Sequence, residues 1–278
     1  MKAVILAGGL GSRLSEETEL KPKPMVEIGG RPILWHIMKL YSHHGINDFI
    51  ICCGYKGHLI KQYFAEYFIH TCDVTFELSS NRMRVHSVRS EPWTVTLVDT
   101  GQETDTGGRL CRVKNYLAKE DIFHFTYGDG LADVNLNLLA KHHAAANVVA
   151  SLSSVMPPGR FGALQIEGNL VTKFLEKPSG EQGTINGGFM MLTSKIFEYL
   201  NDSCSFEGYV LPRLAADRNL SAYPHKGFWQ PMDTLRDRRY LEHLWVSGKA
   251  PWKLWNDNLT GIEEKLVDLM RTAVSPPK

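Results

Sequence analysis

This 278-residue sequence has no apolar run long enough to cross a bilayer, and its first one, residues 3–7, is too short for a signal-peptide core. It has no excess of either charge. Lys plus Arg number 31 and Asp plus Glu 30, a net charge of +1, which gives no whole-chain case for a nucleic-acid partner or an anionic membrane surface. None of the five cysteines forms a CxxC pair, so a disulfide framework is not indicated. Reduced, mostly buried thiols in a cytoplasmic protein are expected. There is no internal repeat, no GKS or GKT after a glycine loop, no G-x-S-x-G and no H-E-x-x-H. P-loop, nucleophile-elbow and zincin chemistries are thereby disfavoured. The eleven histidines lack metal-ligand spacing and read as surface residues.

What is present is a chain long enough to bury a core without covalent staples. Lys2–Ala7 (KAVILA) is continuous and β-branched, as in a strand buried on both faces. Apolar spacing predicts helices over 32–44, 59–68 and 109–119 and strands over 49–53, 94–98 and 122–127. This β-α order argues for an α/β fold of Rossmann-like type, with a mixed, mainly parallel central sheet and helices on both faces. The second half reads as strands near 148–155, 163–166, 171–175 and 187–192, some joined by short turns that favour antiparallel pairing. Helices are expected over 194–200, 209–217 and 234–247. The organisation expected is one domain over 1–255, divided at about 130 into an α/β half and a more mixed half over 131–255, then a tail helix within 256–278. That tail carries Ile262, Leu266, Leu269, Met270 and Ala273 at helical spacing.

The strongest local feature is LAGGLGSRL (6–14), directly after the first strand. A glycine-rich turn at the carboxyl end of a parallel strand lets backbone N–H groups approach phosphate oxygens. Leu14 stands where the dinucleotide fingerprint needs a third glycine, so this is not that motif. KPKPM (21–25) follows, where prolines stiffen the segment and aim Lys23. FTYGDG (125–130) sets Asp129 between glycines at a strand end; Asp-Gly is also an ordinary turn signal. Asp233, in WQPMDT (229–234), precedes a helix and could equally be its N-cap. Two such aspartates, if they converge, make a hard-oxygen site for Mg²⁺. EKP (176–178) puts Glu176 beside Lys177, an acceptor and a cation suited to a sugar hydroxyl and a phosphate. Asn186-Gly187-Gly188 could let a polyol pack on backbone. Asp99 reads as structural.

Taken together, LAGGLGSRL, KPKPM, GDG, EKP and the tryptophan-containing strand that ends in an aspartate resemble the sugar-phosphate nucleotidyltransferases over about residues 1–255. The stretches FIICCGYKG (49–57), EPWTVTLVDTG (91–101), TGGRL (106–110), PPGRFGALQI (157–166), INGGF (185–189) and GFWQPMDTLRD (227–237) are most similar to the cytidylyl branch of that family. The resemblance implies a Mg²⁺-dependent reaction of CTP with glucose 1-phosphate that gives CDP-glucose and pyrophosphate, feeding deoxysugars of bacterial surface polysaccharide (O antigen). It implies that Leu6, Ala7, Gly8, Gly9, Leu10, Gly11, Ser12 and Arg13 hold the nucleotide, with Arg13 at the departing pyrophosphate and Lys23 at the phosphates. Thr106, Arg109 and Gly128 would lie near the nucleotide. Asp129 and Asp233 would hold Mg²⁺. Glu176, Lys177, Asn186 and Gly187 would face the sugar phosphate. A homo-oligomer, a hexamer in this branch, is implied as well. Two departures stand out: Ser12 replaces a common Thr, and FEGYVLP (206–212) looks more like the broader family than like cytidylyl enzymes with a second acid near 209.

Overall fold

In the computed structural model, residues 10, 12–13, 87–90, 158–162, 168–169, 176–182 and 257–278 lie outside the described part of the chain. Seven strands build the central sheet: β1 (Lys2–Ala7), β2 (Asp48–Cys53), β3 (Thr94–Asp99), β4 (Ile122–Tyr127), β5 (Ala150–Val155), β6 (Ile185–Thr193) and β7 (Leu220–His225). Their order across the sheet is β7-β5-β6-β4-β1-β2-β3. Only β6 runs against the rest: it pairs antiparallel with β4 and β5, while the other pairings are parallel.

Alternation along β1 explains why the sheet needs cover on both sides. Ala3, Ile5 and Ala7 face one core cluster and Val4 and Leu6 the other. The first cluster receives Ile37 from α1 (Ile33–His43), Leu139 from α4 (Leu136–Ala146) and Leu241 from α5 (Leu235–Val246). The second receives Leu110 from α3 (Thr106–Arg112). α2 (Gly57–Ala65) follows β2 and buries Ile60. Truncating Ile37, which is fully buried, to Ala would cost about 2–5 kcal/mol. Cys52 and Cys53 enter opposite clusters, and all five cysteines are free thiols.

Several elements differ from the sequence expectation. The helix expected over 109–119 starts earlier, at Thr106, and ends at Arg112; a 3-10 turn covers Lys114–Leu117. Residues 59–68 divide between α2 and a short helix, Tyr67–Thr71. Residues 194–200 form a 3-10 helix, Ser194–Glu198. A separate hairpin, Val74–Glu77 with Arg82–Val85, was not foreseen. The reading of every histidine as a surface residue is corrected: His36, His124 and His143 are buried. His36 and His143 are stable inside because their ring nitrogens find Ile28 O at 2.9 Å and Ser151 Oγ at 2.8 Å. The tail expected within 256–278 lies almost wholly outside the described residues.

Candidate active site

The carboxyl ends of β1 and β4 open on a cavity of about 380 Å³. Leu6, Ala7, Gly8, Gly9 and Gly11 form one wall. Glycine is required at Gly8, because an added Cβ would lie 2.1 Å from Arg109 Nη1. Gly11 adopts φ +64°, the left-handed region, and Thr18 Oγ1 donates to its carbonyl at 3.1 Å. Leu10, Ser12 and Arg13 lie outside the described residues.

Arg109 makes the wall rigid. Only 4% exposed, it donates from Nη2 to Gly8 O at 3.0 Å and Gln102 O at 3.1 Å, and from Nη1 to Thr100 Oγ1 at 2.9 Å and Gly101 O at 2.7 Å. Burial works against its charge and lowers its pKa. Its guanidinium lines the cavity but is largely committed to the glycine loop and to the loop after β3.

Lys23, Asp129 and Asp233 meet on the floor. Lys23 Nζ lies 2.7 Å from Asp129 Oδ2 and 2.7 Å from Asp233 Oδ1, with only 12% of its side chain exposed. Burial alone would lower its pKa, yet the two carboxylates outweigh that and raise it, so the ammonium stays charged. Three local devices produce the convergence. Pro22 and Pro24 flank Lys23, and a 3-10 turn over Lys23–Met25 buries Pro24 and Met25, which fixes the lysine's origin. Gly128 N donates to Leu6 O at 2.9 Å, an approach that a side chain at Gly128 would block. Asp233 is not the N-cap of α5. Thr234 takes that role in a capping box with Asp237, which leaves the Asp233 carboxylate to face Lys23. A short strand pair, Gly130–Ala132 with Trp229–Pro231, and a bond from Met232 N to Asp129 O at 2.8 Å tie the two aspartates' backbones together.

Two carboxylate oxygens held 2.7 Å from one cationic point suit a hard divalent ion such as Mg²⁺, which binds through one or two carboxylates and completes its shell with water and phosphate. No cluster of three or more His, Cys, Asp or Glu able to hold a metal occurs among the described residues.

A smaller pocket of about 50 Å³ adjoins the first and shares Tyr127 and Asp129 with it. Asn186 and Gly187 line it, and Trp229 Nε1 donates to Gly187 O at 2.7 Å. Thr106 and Gly128 line the large cavity. Glu176 and Lys177 lie outside the described residues. Tyr127, Trp229, Thr104 and Asp105 also line these spaces without having been assigned roles from sequence. Tyr127 lies in FTYGDG and Trp229 in WQPMDT, each in the same motif as an aspartate of the floor. Glu207, which accepts from Tyr127 and Thr106, carried no motif signal beyond its place in FEGYVLP.

Residues 2–257 match the family of nucleotidyl transferases. A glucose-1-phosphate cytidylyltransferase from Salmonella typhi is 59% identical over 256 residues, 92% of this chain and 100% of that protein. A probable glucose-1-phosphate cytidylyltransferase from Bacillus subtilis is 41% identical over 257 residues, again 92% and 100%. The crystal structure of HddC from Yersinia pseudotuberculosis shares the fold with a TM-score of 0.64 at 24% identity, covering 88% of this chain and 99% of that one.

Proposed function

The chain belongs to the nucleotidyl transferase family, and from that premise we infer that it transfers the cytidylyl group of CTP to glucose 1-phosphate, giving CDP-glucose and pyrophosphate. The observation that carries this reading is the junction of Lys23, Asp129 and Asp233 on the floor of a glycine-walled cavity, in a chain 59% identical to a cytidylyltransferase.

The chemistry asks little of a protein base. The second pKa of a phosphate monoester is roughly 6, so the attacking oxygen is already mostly anionic near neutral pH. The enzyme must hold two anions together, align them in line with the departing pyrophosphate and offset charge as it leaves. In our reading, the nucleotide phosphates lie along the 6–13 loop, taking backbone N–H groups, with Arg13 at the pyrophosphate and Lys23 at the phosphates. Lys177 and Glu176 hold the sugar phosphate, and Asn186 and Gly187 border the sugar. Asp129 and Asp233 are the residues that would hold Mg²⁺, whose chemistry when bound is to offset charge on the phosphate oxygens. Displacement is direct, with no covalent enzyme intermediate. Inversion at a chirally labelled α-phosphorus is expected, and net retention would exclude it.

The same reading divides the chain into a nucleotide half to about 130 and a sugar-phosphate half over 131–255. It also takes the protein as a cytoplasmic homo-oligomer, a hexamer, serving surface-polysaccharide synthesis. Free thiols at all five cysteines support the reducing compartment.

The test is pyrophosphate release from CTP, UTP, dTTP, GTP and ATP, each with glucose 1-phosphate and Mg²⁺. Strong preference for CTP is expected. Preference for another nucleotide would overturn the cytidylyl assignment, and no release with any nucleotide would overturn the substrate pair.

A further inference from the structure

Glu207 is an acid one hydrogen bond behind Thr106 and Tyr127, which line a site that we read as receiving two phosphorylated substrates. Charge alone would disfavour an anion there. Its surroundings supply another reason for its presence. The turn Phe206–Val210 buries Phe206 and Val210 and leaves Glu207 outside the core. Ser205 Oγ pins the turn by accepting from Gly208 N at 3.0 Å. The carboxylate takes a local bond from Ser205 Oγ to Oε2 at 3.3 Å and collects hydroxyls from two distant elements. Tyr127 donates to Oε1 at 2.5 Å, and Thr106 donates to Oε2 at 2.6 Å. These are the short distances of O–H bonds to an ionised acceptor, about twice as strong as neutral ones.

The donors' other contacts fix the direction of each bond. Thr106 Oγ1 accepts from Phe206 N at 2.8 Å, so its own proton is directed to Glu207. The Tyr127 oxygen accepts from Asn186 Nδ2 at 3.4 Å, and Asn186 Oδ1 accepts from Gly188 N at 2.9 Å. The Tyr127 ring is seated against Gly188, where an added Cβ would come within 2.7 Å of it. Thr106 lines the large cavity, Asn186 the small pocket, and Tyr127 both. Glu207 lines neither of them, yet its carboxylate holds a wall of each.

We propose that Glu207 is a positioning residue that couples the nucleotide pocket to the sugar-phosphate pocket through its bonds to Thr106 and Tyr127. The inference rests on the substrate assignment above. A ligand in the large cavity that orders Thr106 and Tyr127 orders the shared wall of the small pocket, and by linkage the reverse holds to the same degree. A carboxylate suits this task because it accepts from two hydroxyls at once. In Glu207→Gln the amide nitrogen is a donor, so one of the two hydroxyls loses its acceptor.

The experiment is calorimetric titration of the full-length protein with a non-hydrolysable α,β-methylene analogue of CTP and Mg²⁺, without and with saturating glucose 1-phosphate. In the wild type, glucose 1-phosphate should tighten the analogue by at least about 5-fold, the lower end of ordinary coupling. In Glu207→Gln, affinity for the analogue alone should stay within about 3-fold of wild type while the tightening falls toward one. Tyr127→Phe removes the same link from the other side and should lose the same tightening. The double variant should do no worse than either single one. Tyr127→Phe also serves if Glu207→Gln fails to fold. Intact tightening in both variants overturns the proposal, as does a loss of analogue affinity that is equal with and without glucose 1-phosphate. Failure of the wild type to bind the analogue at all would instead remove the substrate assignment on which the coupling rests.

Discussion

Arg109 Nη2 donates to the carbonyl oxygen of Gly8 at 3.0 Å, which joins α3 to the loop that follows β1. The same guanidinium reaches Thr100, Gly101 and Gln102, so a single buried cation sets the spacing of two loops at the carboxyl edge of the sheet.

Arg109→Lys should therefore lower both stability and activity. An ammonium has three donors on a flexible stem and cannot reproduce a planar fork. Several of the bonds to Gly8 O, Gly101 O, Gln102 O and Thr100 Oγ1 would be lost, at about 0.5–1.5 kcal/mol each. Thermal unfolding should move down by several degrees, and pyrophosphate release at subsaturating nucleotide should fall at least about tenfold. Gly8→Ala drives a methyl into the same guanidinium and should give the same pair of effects. Unchanged values for both variants would separate Arg109 from the loop's geometry.

Asp129→Asn and Asp233→Asn should each reduce turnover at least about 100-fold, the scale of a lost electrostatic contribution in a pre-organised site. Each variant still leaves Lys23 one carboxylate partner, so the far-ultraviolet circular dichroism spectrum should be unchanged. Turnover is read as pyrophosphate release at saturating Mg²⁺. Near-normal turnover in the double variant would remove both residues from the reaction.

Trp229→Phe keeps the aromatic bulk and removes the N–H that meets Gly187 O at 2.7 Å. Gly187 would then drift in the small pocket. We expect KM for glucose 1-phosphate to rise about 3- to 10-fold, in line with one lost hydrogen bond of about 0.5–1.5 kcal/mol. KM for the nucleotide should hardly move. A change confined to the nucleotide would reverse the assignment of the two pockets.

Stability should fall as pH is lowered from about 6.5 to about 4, partly through His36. Burial holds His36 down to about 4 from its ordinary 6.5. The fold also needs it neutral: its Nε2 faces Ile28 O, and its Nδ1 accepts the indole N–H of Trp252 at 3.3 Å. Below about 6.5 the unfolded chain gains a proton that the folded chain refuses, so the contribution is complete above that pH and shrinks as pH falls toward the folded value. Burial pushes His124 down further, to about 3. His36→Gln should melt lower near neutral pH but lose less on acidification. Melting curves at several pH values between about 4 and 7 check this, and parallel profiles for the variant and wild type would refute it.

Much of the site was legible because its chemistry is local in sequence. A strand buried on both faces followed by three closely spaced glycines announces a backbone cradle, and Lys23 and Asp129 sit in short rigid segments. What was not legible depended on partners far along the chain. α3 starts at Thr106, ahead of the expected 109, and takes Gly107 and Gly108 into its first turn. They are glycines because an added Cβ would lie 2.5 Å from Cys204 Sγ or 2.3 Å from Asp202 O. β7, which is not among the strands expected from sequence, contains Pro224; proline is tolerated there because β7 is an edge strand with β5 as its single neighbour in the sheet. Asp233 was ambiguous between cap and site until Thr234 was seen to take the cap. Glu207 acts through hydroxyls 80 and 101 residues away, a distance at which no spacing rule operates.

The pairing of Gly130–Ala132 with Trp229–Pro231 gives the site a place in time as well as in space. Lys23 and Asp233 are 210 residues apart, so the lysine leaves the ribosome long before its second partner is made. A nascent chain that has already folded its first four strands owns the glycine wall and one carboxylate, but not the other. The three charges on the floor come together only when the strand that opens with Trp229 has emerged and docked. Chain order alone thus postpones the meeting of these three charges until all of β1 to β7 has been synthesised.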